Sequence, residues 1–287
     1  MIVVAGVSGR TGRVVADTLL AQRRALRVVL RDPRQRPFWL ERGADVATAS
    51  LDDASALARA VDGAAGFYAL LPEDLLAPDF HAHRRRMAEA IGLAVKTCRV
   101  PQVVLLSATA AALADGNGPA QDLHHAEAVL RESGCALTII RASYFQENVA
   151  AALPAARHDG IYPNFLPSAD LALPTVATRD VGRLAARCLL EPAATNQVID
   201  LLGPAYSVRQ MADKLGAALG KTLRVVDIPA AAHVDVLTRA GLPRQFAEAL
   251  AQMYACFAAG RVTPRGDRVE AGCTTLDEIL PGLVAGS

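Results

Sequence analysis

The sequence predicts an α/β fold in which a parallel β-sheet carries helices on both faces and a smaller α/β lobe follows it. Short apolar runs alternate with helical segments through the first half of the 287 residues, which is typical of strand–helix–strand units. Hydrophobic residues make up 52% of the chain and aromatic residues only 5%, so we expect a core of Ala, Val, Leu and Ile. The first alternation contains a glycine-rich turn. Together these features indicate a Rossmann-type, doubly wound architecture.

The first strand is predicted over residues 2–5, a fully apolar run of the kind that a buried parallel strand uses. A glycine-rich turn at 6–12 follows at once, and residues 13–20 then place apolar side chains at helical spacing. Strand, glycine turn and helix in this order are the context that a dinucleotide-binding fingerprint requires. The spacing is Gly-x-x-Gly-x-x-Gly, a variant found in extended and atypical short-chain dehydrogenase/reductase chains.

Each glycine of this turn has a predicted task. Gly6 allows the tight turn, Gly9 lets the backbone approach a pyrophosphate, and Gly12 lets the helix pack against the strand. The N–H groups at the helix start would then face the phosphates. The plain alternative is a turn that only joins a strand to a helix, and Arg10 could contact phosphate or point to water. The predicted phosphate-binding residues are Gly6, Ser8, Gly9, Arg10, Thr11 and Gly12.

The second strand, at 26–30, ends at Arg31 and Asp32, where this fold meets the adenosine ribose. An arginine there suits the 2′-phosphate of NADP, because its planar guanidinium matches phosphate geometry. An acidic residue would instead bind the ribose hydroxyls of NAD. We therefore expect NADP as the cofactor through Arg31, with Asp32 and NAD as the alternative. Arg31 could also be a solvated surface residue.

Four further strands are predicted at 45–49, 66–72, 101–107 and 136–141, with helices at 54–61, 79–97 and 122–132. Residues at the carboxyl end of the fourth strand, Leu70 and Leu71, would lie beside the middle of the cofactor or belong only to the core. Past Asn148 the alternation stops. We predict an NAD(P)-binding domain over 1–150 and a smaller substrate-side lobe, interleaved with the sheet edge, over 151–287.

Composition excludes several classes of protein. The net charge of +1 provides no electrostatic reason to bind nucleic acid or an anionic membrane. The five cysteines have no Cys-x-x-Cys pair and no histidine at ligand spacing, so we expect reduced thiols in a cytoplasmic protein and no metal site. No apolar run approaches the ~20 residues that span a bilayer.

Several segments together resemble the NmrA-like family of atypical short-chain dehydrogenase/reductases, which includes NAD(P)H:quinone oxidoreductases and cofactor-sensing regulators. The segments are residues 4–12, 29–33, 134–141, 144–148 and 198–204. The resemblance implies a cofactor laid across 6–12, Arg31, Leu70, Leu71 and Ser107, with Tyr144 and Asn148 near the nicotinamide and the substrate.

Two positions depart from the family pattern. Family members often carry an acidic residue that can meet the adenine, and here that position is Ser50. They also often have a Lys or His four residues before the glutamate that matches Glu127, and here that position is Leu123. His124 and His125 follow directly after it.

The chain lacks the Tyr-x-x-x-Lys pair of standard short-chain dehydrogenases, in which the lysine lowers the tyrosine pKa. The residues four places after its five tyrosines are Pro72, Asn148, Leu166, Gln210 and Ala258. Alcohol–ketone chemistry by that pair is therefore disfavoured. A quinone accepts hydride readily and its reduced oxygen can be protonated by water, so the protein would mainly orient two rings.

The catalytic candidates are His124, His125 and Tyr144, although an adjacent histidine pair on a helix can equally be a solvated surface feature. Tyr144 and Asn148 would share a helix face if a helix begins near Ser143, with Ser143 as its N-cap.

Two functions from different classes follow. The first is an NADPH-dependent oxidoreductase acting on a quinone or a similar small electrophile. The alternative is a non-catalytic NADP(H) sensor that changes its regulatory protein partner with redox state. A sugar-nucleotide or isoflavone-type reductase is a third possibility, for which the expected lysine is missing. The sequence does not predict the oligomeric state.

Overall fold

A sheet of eight strands runs through the centre of the molecule, and every neighbouring pair in it is parallel. The structure is a computed structural model that describes residues 1–286. The strand order is β13-β10-β6-β5-β4-β1-β2-β3. These strands are β1 (Ile2–Val4), β2 (Leu26–Leu30), β3 (Asp45–Thr48), β4 (Gly66–Ala69), β5 (Gln102–Ala108), β6 (Ala136–Ala142), β10 (Gln197–Leu202) and β13 (Arg268–Ala271).

Helices cover both faces of this sheet, as expected for a doubly wound α/β protein. On one face α3, α4 and α5 pack over a core that includes Phe67, Ile91 and Leu137. On the other face α1 and α7 pack together over a core that includes Trp39 and Tyr68. The helices are α1 (Arg10–Ala21), α2 (Arg36–Glu41), α3 (Ala54–Val61), α4 (Phe80–Thr97), α5 (Gln121–Arg131), α6 (Leu153–His158), α7 (Thr178–Leu190), α8 (Val208–Leu219), α9 (His233–Arg239), α10 (Arg244–Ala258) and α11 (Leu276–Ala285).

A separate core lies among the segments that follow β6, with Val149, Tyr162, Met211 and Leu276 among its buried members. Two small sheets accompany it, of order β11-β9-β7 and β12-β8. Their strands are β7 (Tyr144–Phe145), β8 (Ile161–Asn164), β9 (Ala172–Val176), β11 (Ala205–Ser207) and β12 (Arg224–Asp227).

The predicted fold class is confirmed, and so are the six predicted strands of the first half of the chain. Strand β10 lies in the central sheet beside β6, where Ile199 pairs with Ile140. The elements that were not predicted include the short helix α2, the edge strand β13 and the last helix α11. Trp39 of α2 is fully buried, so this short helix closes the end of the core beside β2 and β3.

The predicted helix beginning at Ser143 is wrong. Tyr144 and Phe145 form strand β7, which pairs in parallel with Thr175 and Val176 of β9. A 3₁₀ helix over Gln146–Ala152 then follows. The extended backbone is favoured here because strand pairing with a distant segment satisfies backbone groups that local sequence would have placed in a helix.

Among residues 1–286, no helix combines the length and the apolar character that crossing a membrane requires.

Candidate active site

The glycine turn after β1 lies where the strand order reverses, between β1 and β4, which is the position at which doubly wound sheets bind ligands. Gly6 has φ +67°, a left-handed conformation that glycine adopts without strain. A methyl group at Gly12 would lie 2.6 Å from the carbonyl oxygen of Ala5, so only glycine lets α1 approach the end of β1 this closely. The turn therefore has the close backbone packing that its sequence predicts.

The start of α1 is open for an anion. Its N-cap residue, Gly9, makes no side-chain capping bond, and its first turn holds no acidic residue. Helices α3 and α4, by contrast, are capped by Asp53 and Asp79. Free N–H groups and the positive end of the helix dipole then face the exposed turn.

The remaining turn residues divide between surface and core. Ser8, Gly9 and Arg10 are exposed, whereas Thr11 is buried with its side chain beside the phenol of Tyr68. Burial raises the pKa of Tyr68, so this phenol stays neutral. The backbone cradle and its exposed donors fit the diphosphate of a dinucleotide.

The end of β2 presents two arginines, each of which lies beside a carboxylate. Arg31 is 78% exposed, with its Nη1 3.5 Å from Asp74 Oδ2. Asp32 accepts hydrogen bonds from the backbone N–H of Arg34, at 3.0 Å, and from its guanidinium. These bonds hold the pKa of Asp32 below its usual value. The Asp32 carboxylate is therefore paired with Arg34, a residue that sequence analysis did not identify. The two arginines make this surface more suitable for a phosphate than for ribose hydroxyls.

Leu70 and Leu71, at the end of β4, have different surroundings. Leu70 lies over the glycine turn, because a methyl group at Gly6 would stand 2.6 Å from Leu70 Cδ2. Leu71 is buried in the core between the sheet and α3, α4 and α5. Leu70 thus borders the predicted cofactor path with its side chain, and Leu71 can do so only with its backbone.

The side chain of Ser107, near the end of β5, is part of a buried ionic network. Its hydroxyl donates to Glu127 Oε1 at 2.7 Å. Glu127 also accepts from Arg141, at 2.9 Å from Nε and 2.6 Å from Nη2, and from Arg131 Nη2 at 3.1 Å. A fully buried carboxylate with this many donors is well compensated. The Ser107 hydroxyl is therefore directed at α5 and already engaged.

Tyr144 and Asn148 lie close together despite the absence of the predicted helix. Burial raises the pKa of the Tyr144 phenol, and the neighbouring Asn148 side chain partly offsets this. The Tyr144 ring packs edge-on against Phe257 of α10, with centroids 6.2 Å apart.

An aromatic cluster that sequence analysis missed continues from this point. Phe165 stacks on Tyr254 of α10 with centroids 5.0 Å apart, and His233 packs edge-on against both rings. The helical spacing of Tyr254 and Phe257 in α10 was the only signal available, because Phe165 and His233 come from distant segments. We define Tyr144, Phe165, His233, Tyr254 and Phe257 as the aromatic cluster.

The segment that carries Tyr144 and Asn148 is held in place by hydrogen bonds of two buried side chains, Gln146 and Glu147. The Glu147 carboxylate accepts from the backbone N–H of Thr178, at 2.9 Å, and from its hydroxyl. It thereby satisfies donors at the start of α7. The amide of Gln146 donates to the carbonyl of Thr274 at 2.8 Å. Both residues are buried, so the orientation of this segment is set by the core.

The two histidine candidates have partners other than Tyr144 among the described residues. His124 Nδ1 lies 2.8 Å from the Ala111 carbonyl, which requires the ring to donate from that nitrogen. His125 Nε2 lies 3.6 Å from Glu89 of α4. Within residues 1–286 no group of three or more His, Cys, Asp or Glu side chains is arranged to hold a metal ion.

Residues 1–280 match the NmrA-like family. Two curated relatives span nearly the whole chain. The NAD(P)H azoreductase of Xenophilus azovorans is 27% identical over 256 residues, covering 89% of this chain and 86% of that protein. Quinone oxidoreductase 2 of Escherichia coli (strain K12) is 27% identical over 254 residues, covering 88% and 86%.

Solved structures share the fold along the full chain. The NADPH-dependent quinone oxidoreductase of Escherichia coli, complexed with NADPH, has a TM-score of 0.77 at 21% identity and covers 99% of this chain and 100% of its own. The triphenylmethane reductase of Citrobacter sp. has a TM-score of 0.83 at 18% identity and covers 99% of each chain.

Proposed function

The chain belongs to the NmrA-like family, and on that premise we propose that it is an NADPH-dependent reductase that passes hydride to a quinone or a similar flat electrophile. The relatives support this, since they are named for the reduction of azo compounds and quinones. Such acceptors have in common a conjugated system that takes up hydride without a strong acid in the protein.

The observation that carries the proposal is the open start of α1 beside the exposed arginines at the end of β2. The uncapped N–H groups after Gly9 would hold the diphosphate, and Arg31 and Arg34 would bind a 2′-phosphate. Asp32 is ion-paired with Arg34, which offsets its repulsion of that phosphate. NADP is therefore the favoured cofactor, and its reduced form, NADPH, would supply the hydride when bound.

The residues beside that cofactor path favour orientation over proton transfer. Tyr144 and Phe257 offer ring edges against which a planar acceptor can lie, and Asn148 lies beside the Tyr144 phenol. Holding two rings in register contributes to the rate by limiting the orientations that must be searched. Ser107 donates to Glu127 and His124 to Ala111, so neither is aimed at an acceptor. We therefore assign protonation of the reduced acceptor to water.

A steady-state assay tests this function. Purified protein is mixed with NADPH and, in turn, 1,4-naphthoquinone, menadione, an azo dye and cyclohexanone, and the absorbance at 340 nm is followed. We expect oxidation of NADPH with the quinones or the azo dye and none with cyclohexanone, because the chain has no Tyr-x-x-x-Lys pair. Reduction of cyclohexanone alone would contradict the proposal.

One observation favours the second candidate, an NADP(H)-binding sensor. Leu123 places a partly buried apolar side chain, packed against the core, at a position where family members often have a polar residue. A sensor would bind NADPH tightly in a titration, and in the assay above none of the acceptors would cause oxidation of NADPH. That result would exclude the reductase and leave regulation through a protein partner.

A further inference from the structure

Arg84, in the second turn of α4, is a buried cation whose two ion-pair partners both lie beyond hydrogen-bond distance. Only 3% of its side chain is exposed, and within the described chain its Nε has no hydrogen-bond partner. The nearest carboxylate oxygens are Asp122 Oδ2, 3.6 Å from Nε, and Glu73 Oε1, 3.9 Å from Nη1. Both distances exceed hydrogen-bond range. A buried guanidinium in this state costs stability unless another group completes its bonds.

The two carboxylates near Arg84 are not committed to it. Asp122 is fully buried, and its Oδ2 is bonded to His81 Nδ1 at 2.7 Å. Its Oδ1 has no hydrogen-bond partner among the described residues and stands 3.6 Å from Arg85 Nε. Glu73 is 50% exposed, and desolvation raises the pKa of its carboxyl. The guanidinium thus keeps donors that a ligand could use.

The position of Arg84 connects it to the proposed site. Glu73 lies two residues beyond Leu71, at the end of β4, and Asp122 lies directly before Leu123 at the start of α5. Arg84 therefore lies at the carboxyl edge of the sheet, where the first turns of α4 and α5 meet. A ligand group at this place would be on the same side of the sheet as the cofactor path.

Helix α10 links this place to the aromatic cluster. The side chain of Gln245 accepts from the backbone N–H of Phe80 at 3.0 Å and donates to the Ala77 carbonyl at 2.8 Å. The Phe80 ring, which lies 5.3 Å from the Arg84 guanidinium, packs on Phe246 with centroids 5.1 Å apart. Residues of the same helix, Tyr254 and Phe257, form the wall of the aromatic cluster.

We propose that Arg84 binds an anionic substituent, a sulfonate or a carboxylate, on an aromatic acceptor. This inference rests on the proposed reductase function and adds the charge of its substrates. A guanidinium binds either group through paired hydrogen bonds. Glu73 and Asp122 compete with an anion for the same donors, while Arg85 and His81 add positive or neutral groups around them.

Matched quinones test the inference. Menadione and 1,4-naphthoquinone-2-sulfonate differ by the anionic group, and NADPH oxidation is measured with each for wild type, Arg84→Met, Glu73→Gln and the exposed-neighbour control Arg85→Met. We expect Arg84→Met to raise KM for the sulfonate roughly 10- to 100-fold, as expected for a lost bond to a charged group, with little change for menadione. Glu73→Gln should lower that KM, and Arg85→Met should change it less than Arg84→Met does.

The KM for the sulfonate should fall in Glu73→Gln, opposite to its rise in Arg84→Met. The test therefore remains valid if Arg84→Met fails to fold. Equal effects of Arg84→Met on both quinones, or a KM for the sulfonate that Glu73→Gln leaves unchanged, would overturn the inference.

A binding measurement separates this inference from the reductase proposal. Naphthalene-2-sulfonate, which cannot accept hydride, is titrated calorimetrically into the NADP⁺-saturated protein and the same variants. Binding that weakens in Arg84→Met, without turnover of either quinone, would support the anion site and contradict the reductase. Turnover of menadione without any binding of naphthalene-2-sulfonate would support the reductase and overturn the anion site.

Discussion

The carbonyl oxygen of Gly6 stands 2.5 Å from the place that a methyl group at Gly12 would occupy. This distance is shorter than any contact that a real β-carbon makes, and the atom in the way belongs to the backbone and cannot rotate aside. The two glycines thus determine how closely α1 begins after β1, and with it where the free N–H groups of the helix lie.

Replacing Gly12 or Gly9 by alanine should separate folding from cofactor binding. Gly12→Ala must push α1 away from β1, and we expect it to lower the free energy of unfolding by about 1–3 kcal/mol, the usual cost of overpacking.

In Gly9→Ala the added methyl group meets only the Gly6 carbonyl oxygen, at 3.3 Å, and the φ of −94° at this position suits alanine. It should leave folding nearly intact and weaken NADPH binding roughly tenfold, or about 1.4 kcal/mol. Urea denaturation and NADPH titration of both variants measure these effects, and unchanged NADPH affinity in Gly9→Ala would argue against the site.

Arg31 and Arg34 should control the choice between NADPH and NADH. Arg31→Ala removes a donor to the 2′-phosphate, and Arg34→Ala also frees the Asp32 carboxylate, which then repels that phosphate. We expect each variant to weaken NADPH binding about 10- to 100-fold, the usual loss for a bond to a charged group, with much less effect on NADH. Arg24→Ala, at the other end of β2, is the matched control. Equal losses for both cofactors would show that β2 does not select between them.

Tyr144→Phe should test whether the phenol orients or protonates the acceptor. The variant keeps the ring that packs on Phe257 and removes the hydroxyl that interacts with Asn148. We expect kcat to fall less than about tenfold, since one neutral hydrogen bond contributes about 1 kcal/mol. Asn148→Ala and the double variant should show the same loss in kcat. Abolished turnover with normal NADPH binding would instead make Tyr144 the proton donor.

Alkaline pH should destabilise the fold through tyrosines whose phenols are desolvated on folding. Burial raises the pKa values of Tyr68, Tyr144, Tyr162 and Tyr254. Above pH 10 the unfolded chain therefore loses tyrosine protons that the folded chain retains. The free energy of unfolding is unaffected below that pH and falls as the pH rises above it, by up to about 1.4 kcal/mol per pH unit for each tyrosine.

The measurement is urea denaturation at pH 8.5 and pH 10.5. Buried cysteine thiols, such as Cys188, also have a raised pKa and act in the same direction, so a variant isolates the tyrosine effect. Tyr162→Phe should lose less stability than wild type between the two pH values. An equal loss would contradict the assignment.

Sequence analysis located the part of the site that is encoded locally. Gly6, Gly9 and Gly12 are close in the chain, so their spacing and context indicated a turn that the structure reproduces, with φ +67° at Gly6. The end of β2 was likewise located, but the pairing of Asp32 with Arg34 depends on a 3₁₀ turn that the sequence did not reveal.

Contacts between distant segments could not be predicted in this way. Tyr144 forms a strand because Thr175, 31 positions later, supplies its partner. Arg84 and Asp122 meet only because α4 and α5 pack side by side, and the stack of Phe165 on Tyr254 depends on the fold of the second lobe. A single sequence shows the apolar periodicity of each element, but it does not show which polar side chains lack hydrogen-bond partners once two elements have packed together.

The most direct test of the account is an NADPH titration of the wild-type protein, followed by intrinsic fluorescence or calorimetry, with NADH titrated in parallel. The open start of α1 and the arginines after β2 predict saturable binding of one equivalent of NADPH per chain and weaker binding of NADH. Absence of binding by either coenzyme would contradict the central claim.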